Sequence, residues 1–139
     1  MYLMDVLLDA SAIMAIILNE PNRDIVVNLT KEETLLSPEI ISFEIGNALV
    51  SLFKRHKLNE TEVLKAYEDF TKIPIRALKV DMGKALKISC KYNIYAYDAY
   101  YLETAYRLKL PLITFDGNMA IVGKDMKITI LNGGKDESV

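Results

Sequence analysis

Leu7–Glu20 reads LLDASAIMAIILNE. The apolar run Val6-Leu7-Leu8 stops at Asp9, and Ser11 opens a second apolar run of helical length through Ile17 and Leu18. This is the pattern of a buried strand that carries a carboxylate at its C-terminal tip, just ahead of a helix. Ligands of open α/β sheets bind in the crevice outside the carboxyl ends of the strands. Asp9 therefore stands where chemistry is expected. The same position suits a helix cap, in which an Asp side chain accepts a backbone N–H, and this stretch alone leaves both readings open.

Outward from it, blocks of helix and strand length alternate. Glu20-Pro21-Asn22 breaks the first helix, and residues 24–29 form a second with Ile25 and Leu29 on one face. Thr34-Leu35-Leu36 is a short strand closed by Ser37-Pro38, where Ser as cap and Pro as first helical residue start a helix to about Lys54. The cations Lys54, Arg55 and Lys57 suit the negative end of that helix dipole. Asn59 followed by Glu62 is a capping box for a helix to about Phe70. Residues 74–78 are a strand candidate. Met82, Ala85, Leu86 and Cys90 recur at helical spacing between Asp81 and Lys91. A helix over 98–109 has Tyr101, Leu102, Ala105 and Leu108 as its inner face. PLITF at 111–115 is a buried strand stopped by Asp116-Gly117, and 127–131 is the last strand. The domain is expected to span 1–131, with 132–139 as a polar, disordered tail. Strands alternating with helices imply βαβ units and a mainly parallel sheet covered on both faces, an α/β fold. Right-handed crossovers put the strand C-terminal ends on one rim.

The 139 residues, 51% of them hydrophobic, suffice for one domain with a proper core. One cysteine, Cys90, excludes an internal disulfide, and one histidine, His56, leaves no set for structural zinc. His56 sits in a cationic helix end and is expected to be a solvated surface residue, not part of a Ser/His/Asp triad. With Asp5 and Asp9 inside the N-terminal apolar stretch and no apolar run of roughly 20 residues, neither a signal peptide nor a membrane span is expected. The expected place is the cytoplasm. A net charge of -2 gives no global attraction to nucleic acid, so any such contact relies on local patches. Neither GxGxxG nor GxxxxGK[ST] occurs.

Four acids stand in awkward places. Asp9 and Asp116 follow the first and the PLITF strands, so both should project at one rim, although Asp116 before Gly117 is also an ordinary turn residue. Glu44 is the only charged residue between Ile40 and Phe53 and shares a stripe with Ile41, Ile45 and Ala48. A helix so apolar is expected to be largely buried, and a buried carboxylate needs a cation, hydrogen bonds or a proton. Asp98 opens the 98–109 helix and could be its cap. Packed together without an ion, four acids repel and raise one another's pKa values. Mg²⁺ resolves this, because it takes oxygen ligands, keeps several waters and shares its shell with substrate phosphates. Such an ion orients a water and stabilises charge at a scissile phosphate, with no histidine needed.

With these residues in view, the chain resembles the PIN domain family, and within it the VapC-type toxins of toxin–antitoxin pairs. The resemblance lies in LLDASAIMAIILNEP, in SPEIISFEIGNAL around Glu44, in YAYDAYYLETAYRLKLPLITFD through Asp98 and Asp116, and in KITIL. It implies a five-stranded parallel sheet, a Mg²⁺- or Mn²⁺-dependent endoribonuclease, a cognate antitoxin and a homodimer. It further implies that Asp9, Glu44, Asp98 and Asp116 are catalytic metal-site acids, with Ser11 supporting the first acid or the metal water. Asn118 stands where many relatives place another polar or acidic side chain near the metal; its neutrality weakens a second metal site.

On the substrate side, Lys84, Lys87 and Lys91 share a helical face and, like Lys54, Arg55 and Lys57, are candidates for phosphate contacts or simply a solvated face. Tyr97 and Tyr100 beside Asp98 are candidates for stacking on an unpaired base. Two other classes stay open: a PIN-like module that binds RNA or protein without cutting, and a phosphoacceptor signalling domain. The latter is disfavoured because Asp9 has no acidic neighbour.

Overall fold

The computed structural model describes residues 4–134. β1 (Asp5–Leu8) lies at the centre of a five-stranded sheet with β2 (Thr34–Pro38) on one side and β4 (Leu112–Ile113) on the other. β3 (Ile75–Leu78) and β5 (Ile130–Leu131) form the edges, giving the order β3-β2-β1-β4-β5 with every pair parallel. Val6, Leu7 and Leu8 are buried, as a central strand covered on both faces requires. In register, Leu7 lies between Leu36 and Leu112.

Among the described residues seven helices make the crossovers: α1 (Ala10–Ile17), α2 (Arg23–Thr30), α3 (Ile41–Lys54), α4 (Glu60–Thr71), α5 (Met82–Tyr92), α6 (Ala96–Leu108) and α7 (Gly117–Asp125). From β1 the chain goes first to β2 and β3 and only later to β4 and β5 on the opposite side. The reversal between β1 and β4 is the switch point at which such sheets open a crevice. Asp9 and Asp116, just past the ends of β1 and β4, flank it.

Several local expectations hold with adjusted ends. The capping box is present: the Asn59 side chain accepts the Glu62 N–H at 2.8 Å, and Glu62 accepts the Asn59 N–H at 2.9 Å. The start of α3 is a correction. Ser37 and Pro38 belong to β2, and the helix begins at Ile41. Ser37 is buried, and its hydroxyl donates to the Leu8 carbonyl at 2.7 Å, a tie between strands that takes it away from capping. On α5 the expected stripe is only partly right. Ala85 is buried, whereas Met82, Leu86 and Cys90 face solvent and Ile88 and Tyr92 pack on the core. Leu108, placed on the inner face of α6 by its spacing, is exposed at the last turn.

α3 departs most from its pattern. Ile41, Ile45 and Leu49 are buried, but Phe43 is 75% exposed, with Val50 and Phe53 also open. The helix packs on α1 and α4 and leaves one side uncovered. At the C-terminal end, Asn132 is buried and Gly133 lies against Ile25, so the packed chain continues past Leu131. The expected tail otherwise falls on 135–139, outside the described residues. Among the described residues no helix is long and apolar enough to cross a membrane.

Candidate active site

Asp9 is both a cap and the centre of a polar cluster. Its backbone is extended (φ -92°), and Oδ1 accepts the Ala12 N–H at 3.0 Å, the capping bond of α1. The Ser11 hydroxyl donates to the same oxygen at 2.7 Å, and the Ser11 oxygen accepts the Phe115 N–H at 3.0 Å. Oδ2 accepts a hydrogen bond from the Thr114 hydroxyl, whose oxygen in turn accepts the Asp116 N–H at 3.0 Å. Thus β1 and the end of β4 are stitched together through side chains around one buried carboxylate.

Asp116 caps α7, its Oδ1 accepting the Met119 N–H at 3.0 Å. Glu44, in the first turn of α3, is half-buried and accepts a hydrogen bond from the buried Tyr101 hydroxyl. Asp98 lies in the first turn of α6 and is not its cap; Tyr95 occupies that position. Asn118 is exposed, two residues past Asp116 in α7.

The four acids feel one another. Burial pushes the Asp9 carboxyl from its ordinary 3.8 up to about 6, against the pull of its hydrogen bonds, and the charge of Asp116 adds to the rise. Burial also raises Glu44, with the charges of Asp9 and Asp98 contributing, while the Tyr101 hydrogen bond opposes. Asp98 is raised by burial and by Asp116. Among the described residues, none of the ion pairs involves these four acids. As the side chains stand, no three Asp, Glu, His or Cys residues in the described part converge into a group able to hold a metal.

Sequence reasoning missed Thr114 and the hydroxyl of Tyr101. Thr114 stood inside PLITF as an ordinary β-branched strand residue. Tyr101 was placed on the inner stripe, and the available signal was that a buried tyrosine hydroxyl needs a partner. A second buried acid, Glu103, was also missed; it is held by Arg107 Nε at 2.5 Å and by the Asp81 N–H at 3.0 Å, away from the four.

The candidate RNA contacts separate. Tyr97 is exposed beside Asp98, its ring edge-on to Tyr100 at 5.6 Å between centroids. Lys84 and Lys87 line a cavity with Met4, Pro111 and Thr129, the residues that lead into β1, β4 and β5. That cavity is at the N-terminal edge of the sheet, opposite the acids. Lys91 lies over the Tyr92 ring at 5.3 Å.

The PIN domain family model matches residues 6–125. The chain belongs to the PIN domain family. Ribonuclease VapC12 of Mycobacterium tuberculosis is 28% identical over 117 residues, covering 83% of this chain and 89% of that one. Among solved structures, PAE2754 from Pyrobaculum aerophilum superposes with a TM-score of 0.70 at 20% identity, over 91% of this chain and 83% of the other. VapBC2 from Rickettsia felis, bound to a DNA fragment from their promoter, gives 0.61 at 15% identity, over 91% of this PIN chain and 97% of that chain. The fold is that of these PIN proteins.

Proposed function

We propose that this PIN domain is a divalent-metal-dependent endoribonuclease, the toxin of a toxin–antitoxin pair, with Asp9, Glu44, Asp98 and Asp116 as its acids. The observation that carries the reading is that Asp9 and Asp116 flank the switch point, while burial and the charges of neighbouring acids raise Asp9, Glu44 and Asp98, none of which has an ion-pair partner among the described residues. Similarity to Ribonuclease VapC12 supplies the substrate class.

The donor set fits a hard cation. All the candidate ligands are carboxylate oxygens, the kind that Mg²⁺ takes, and none of the ion pairs among the described residues engages them, although as the side chains stand no three of them converge on one point. When bound, Mg²⁺ or Mn²⁺ supplies charge neutralisation at the phosphate and acidifies a coordinated water. The chain's own part is positioning. Ser11, Thr114 and the Ala12 N–H fix the orientation of Asp9, and Tyr101 fixes Glu44. Asp116 spends Oδ1 on its helix, which leaves Oδ2 for the site. Asp98 stands partly open beside exposed Tyr97, on which an unpaired base can stack. Asn118 adds a neutral polar group at the rim. A cognate antitoxin and a homodimer belong to the same proposal; the uncovered Phe43, Val50 and Phe53 are the surface that such an assembly would bury.

A second reading, a PIN domain that binds without cutting, is favoured by the failure of any three acids to converge. One experiment separates the two: incubation of total RNA with the purified protein in Mg²⁺, in Mn²⁺ and in chelator, beside Asp98→Asn. Metal-dependent cleavage that vanishes in the variant is expected. Metal-independent binding without cleavage would replace the nuclease by the binding module.

A further inference from the structure

A cavity of about 970 Å³ lies at the sheet edge opposite the acids. Its volume is at the upper end of the usual range for small-ligand sites, roughly 300–1,000 Å³. The floor is aliphatic, built from Ile88, Leu110, Met126 and Ile128. Lys84 and Lys87 from α5, Lys109 after α6 and Lys127 before β5 also line it. None of these four ammonium groups has an acidic partner among the described residues. The one acid in the wall, Glu103, is already engaged by Arg107. In a chain of net charge -2, four unpaired cations around one apolar hollow are a local reversal of sign.

Two of these lysines also occupy costly backbone. Lys109 (φ 55°) and Lys127 (φ 65°) are both left-handed, a conformation that glycine adopts without penalty. Both stand at helix C-termini, Lys109 as the cap of α6 and Lys127 just past the cap of α7, where a left-handed residue commonly ends a helix. These helix ends carry lysine where glycine would be the easier choice, and both lysines line the cavity.

We propose that this cavity binds an amphipathic anion, an acyl-chain-like apolar body with a carboxylate or phosphate head, the chain on the aliphatic floor and the head among Lys84, Lys87, Lys109 and Lys127. Nucleic acid is the poorer fit. Strand binding uses successive aromatic platforms along an open groove, whereas Tyr106 is the single aromatic residue in this wall. The site is independent of the nuclease reading, because it shares no residue with the acid cluster.

The test is calorimetric titration of the full chain with decanoate, decyl phosphate, decanol and adenosine monophosphate, all below micelle-forming concentration. Decanoate and decyl phosphate are expected to saturate one site, their ratio showing which head is preferred. Decanol and adenosine monophosphate are expected to bind at least tenfold more weakly. The Lys109→Gly/Lys127→Gly double variant should keep its melting transition, since glycine relieves the backbone. It should weaken the acyl anions by roughly tenfold, from lost charge-assisted contacts. A variant that binds as wild type does would overturn the proposal, as would equal binding of decanol, equal binding of adenosine monophosphate, or no saturation by either acyl anion. If the double variant lost its fold, Lys84→Gln/Lys87→Gln would carry the same comparison on the exposed side of α5.

Discussion

Asp9→Asn should make the metal-free protein more stable at neutral pH. Burial dominates the rise of the Asp9 carboxyl from 3.8 to about 6, so the folded chain holds this proton more tightly than the unfolded chain does. At 1.36 kcal/mol for each tenfold change, the ionised form costs ~3 kcal/mol in the fold above pH 6. The sign follows from proton counting. Between about pH 4 and 6 the native state binds more protons than the unfolded state, so stability falls as pH rises through that window. Below it Asp9 is neutral in both states and the cost disappears. Asparagine keeps the cap, because its carbonyl can still accept from Ala12 and Ser11, and its amide can donate to the Thr114 oxygen. Urea denaturation of both proteins in chelator should show the variant ahead by up to ~3 kcal/mol at pH 7.5 and level with wild type near pH 3.5. Added Mg²⁺ should then stabilise wild type and leave the variant little changed. A variant that is less stable at pH 7.5, or a difference that does not change with pH, would refute burial of an unneutralised charge at this position.

Thr114→Val removes the donor to Asp9 Oδ2, whose bond lowers the Asp9 pKa. The acidic limb of the cleavage profile should move to higher pH, and Thr114→Ser should restore it; a profile that stays in place would deny Thr114 this role. Tyr101→Phe deletes the hydrogen bond that opposes the rise of Glu44, so Glu44 should titrate still higher, with a stability loss of about 1–2 kcal/mol at pH 7.5. Chemical-shift titration of the Glu44 carboxyl carbon and urea denaturation would check the two parts. Asn59→Ala breaks the capping box of α4 and should cost about 1 kcal/mol in the same denaturation assay, with RNA cleavage unaffected.

The parallel sheet and two of its buried strands were legible because Val6-Leu7-Leu8 and PLITF are apolar without alternation, the mark of strands covered on both faces, whereas the strand order was not. The acids were legible for the opposite reason: each interrupts an apolar pattern. What escaped were groups whose types fit their surroundings. A threonine in a strand and a tyrosine on a buried stripe raise no conflict, so their hydroxyls became visible only through their partners, Asp9 and Glu44. Helical spacing also leaves rotation and rim undecided. It put Lys84 and Lys87 on one face but could not say that the face looks away from the acids. On α5 it chose Met82 and Leu86 over Ile88 and Tyr92, since both sets satisfy the period. For α3, composition overstated burial because the helix has neighbours on only part of its circumference.

The bond from Thr114 to Asp9 spans 105 positions of the chain. A polypeptide emerging from the ribosome presents Asp9, Glu44 and Asp98 well before it presents Thr114 and Asp116. Until residues 112–116 have settled beside β1, the first acid lacks its Oδ2 donor and the crevice lacks one wall. Under the proposed nuclease reading, connectivity thus sets the order of assembly: the site is complete only after residues 112–116 have been made and have packed beside β1.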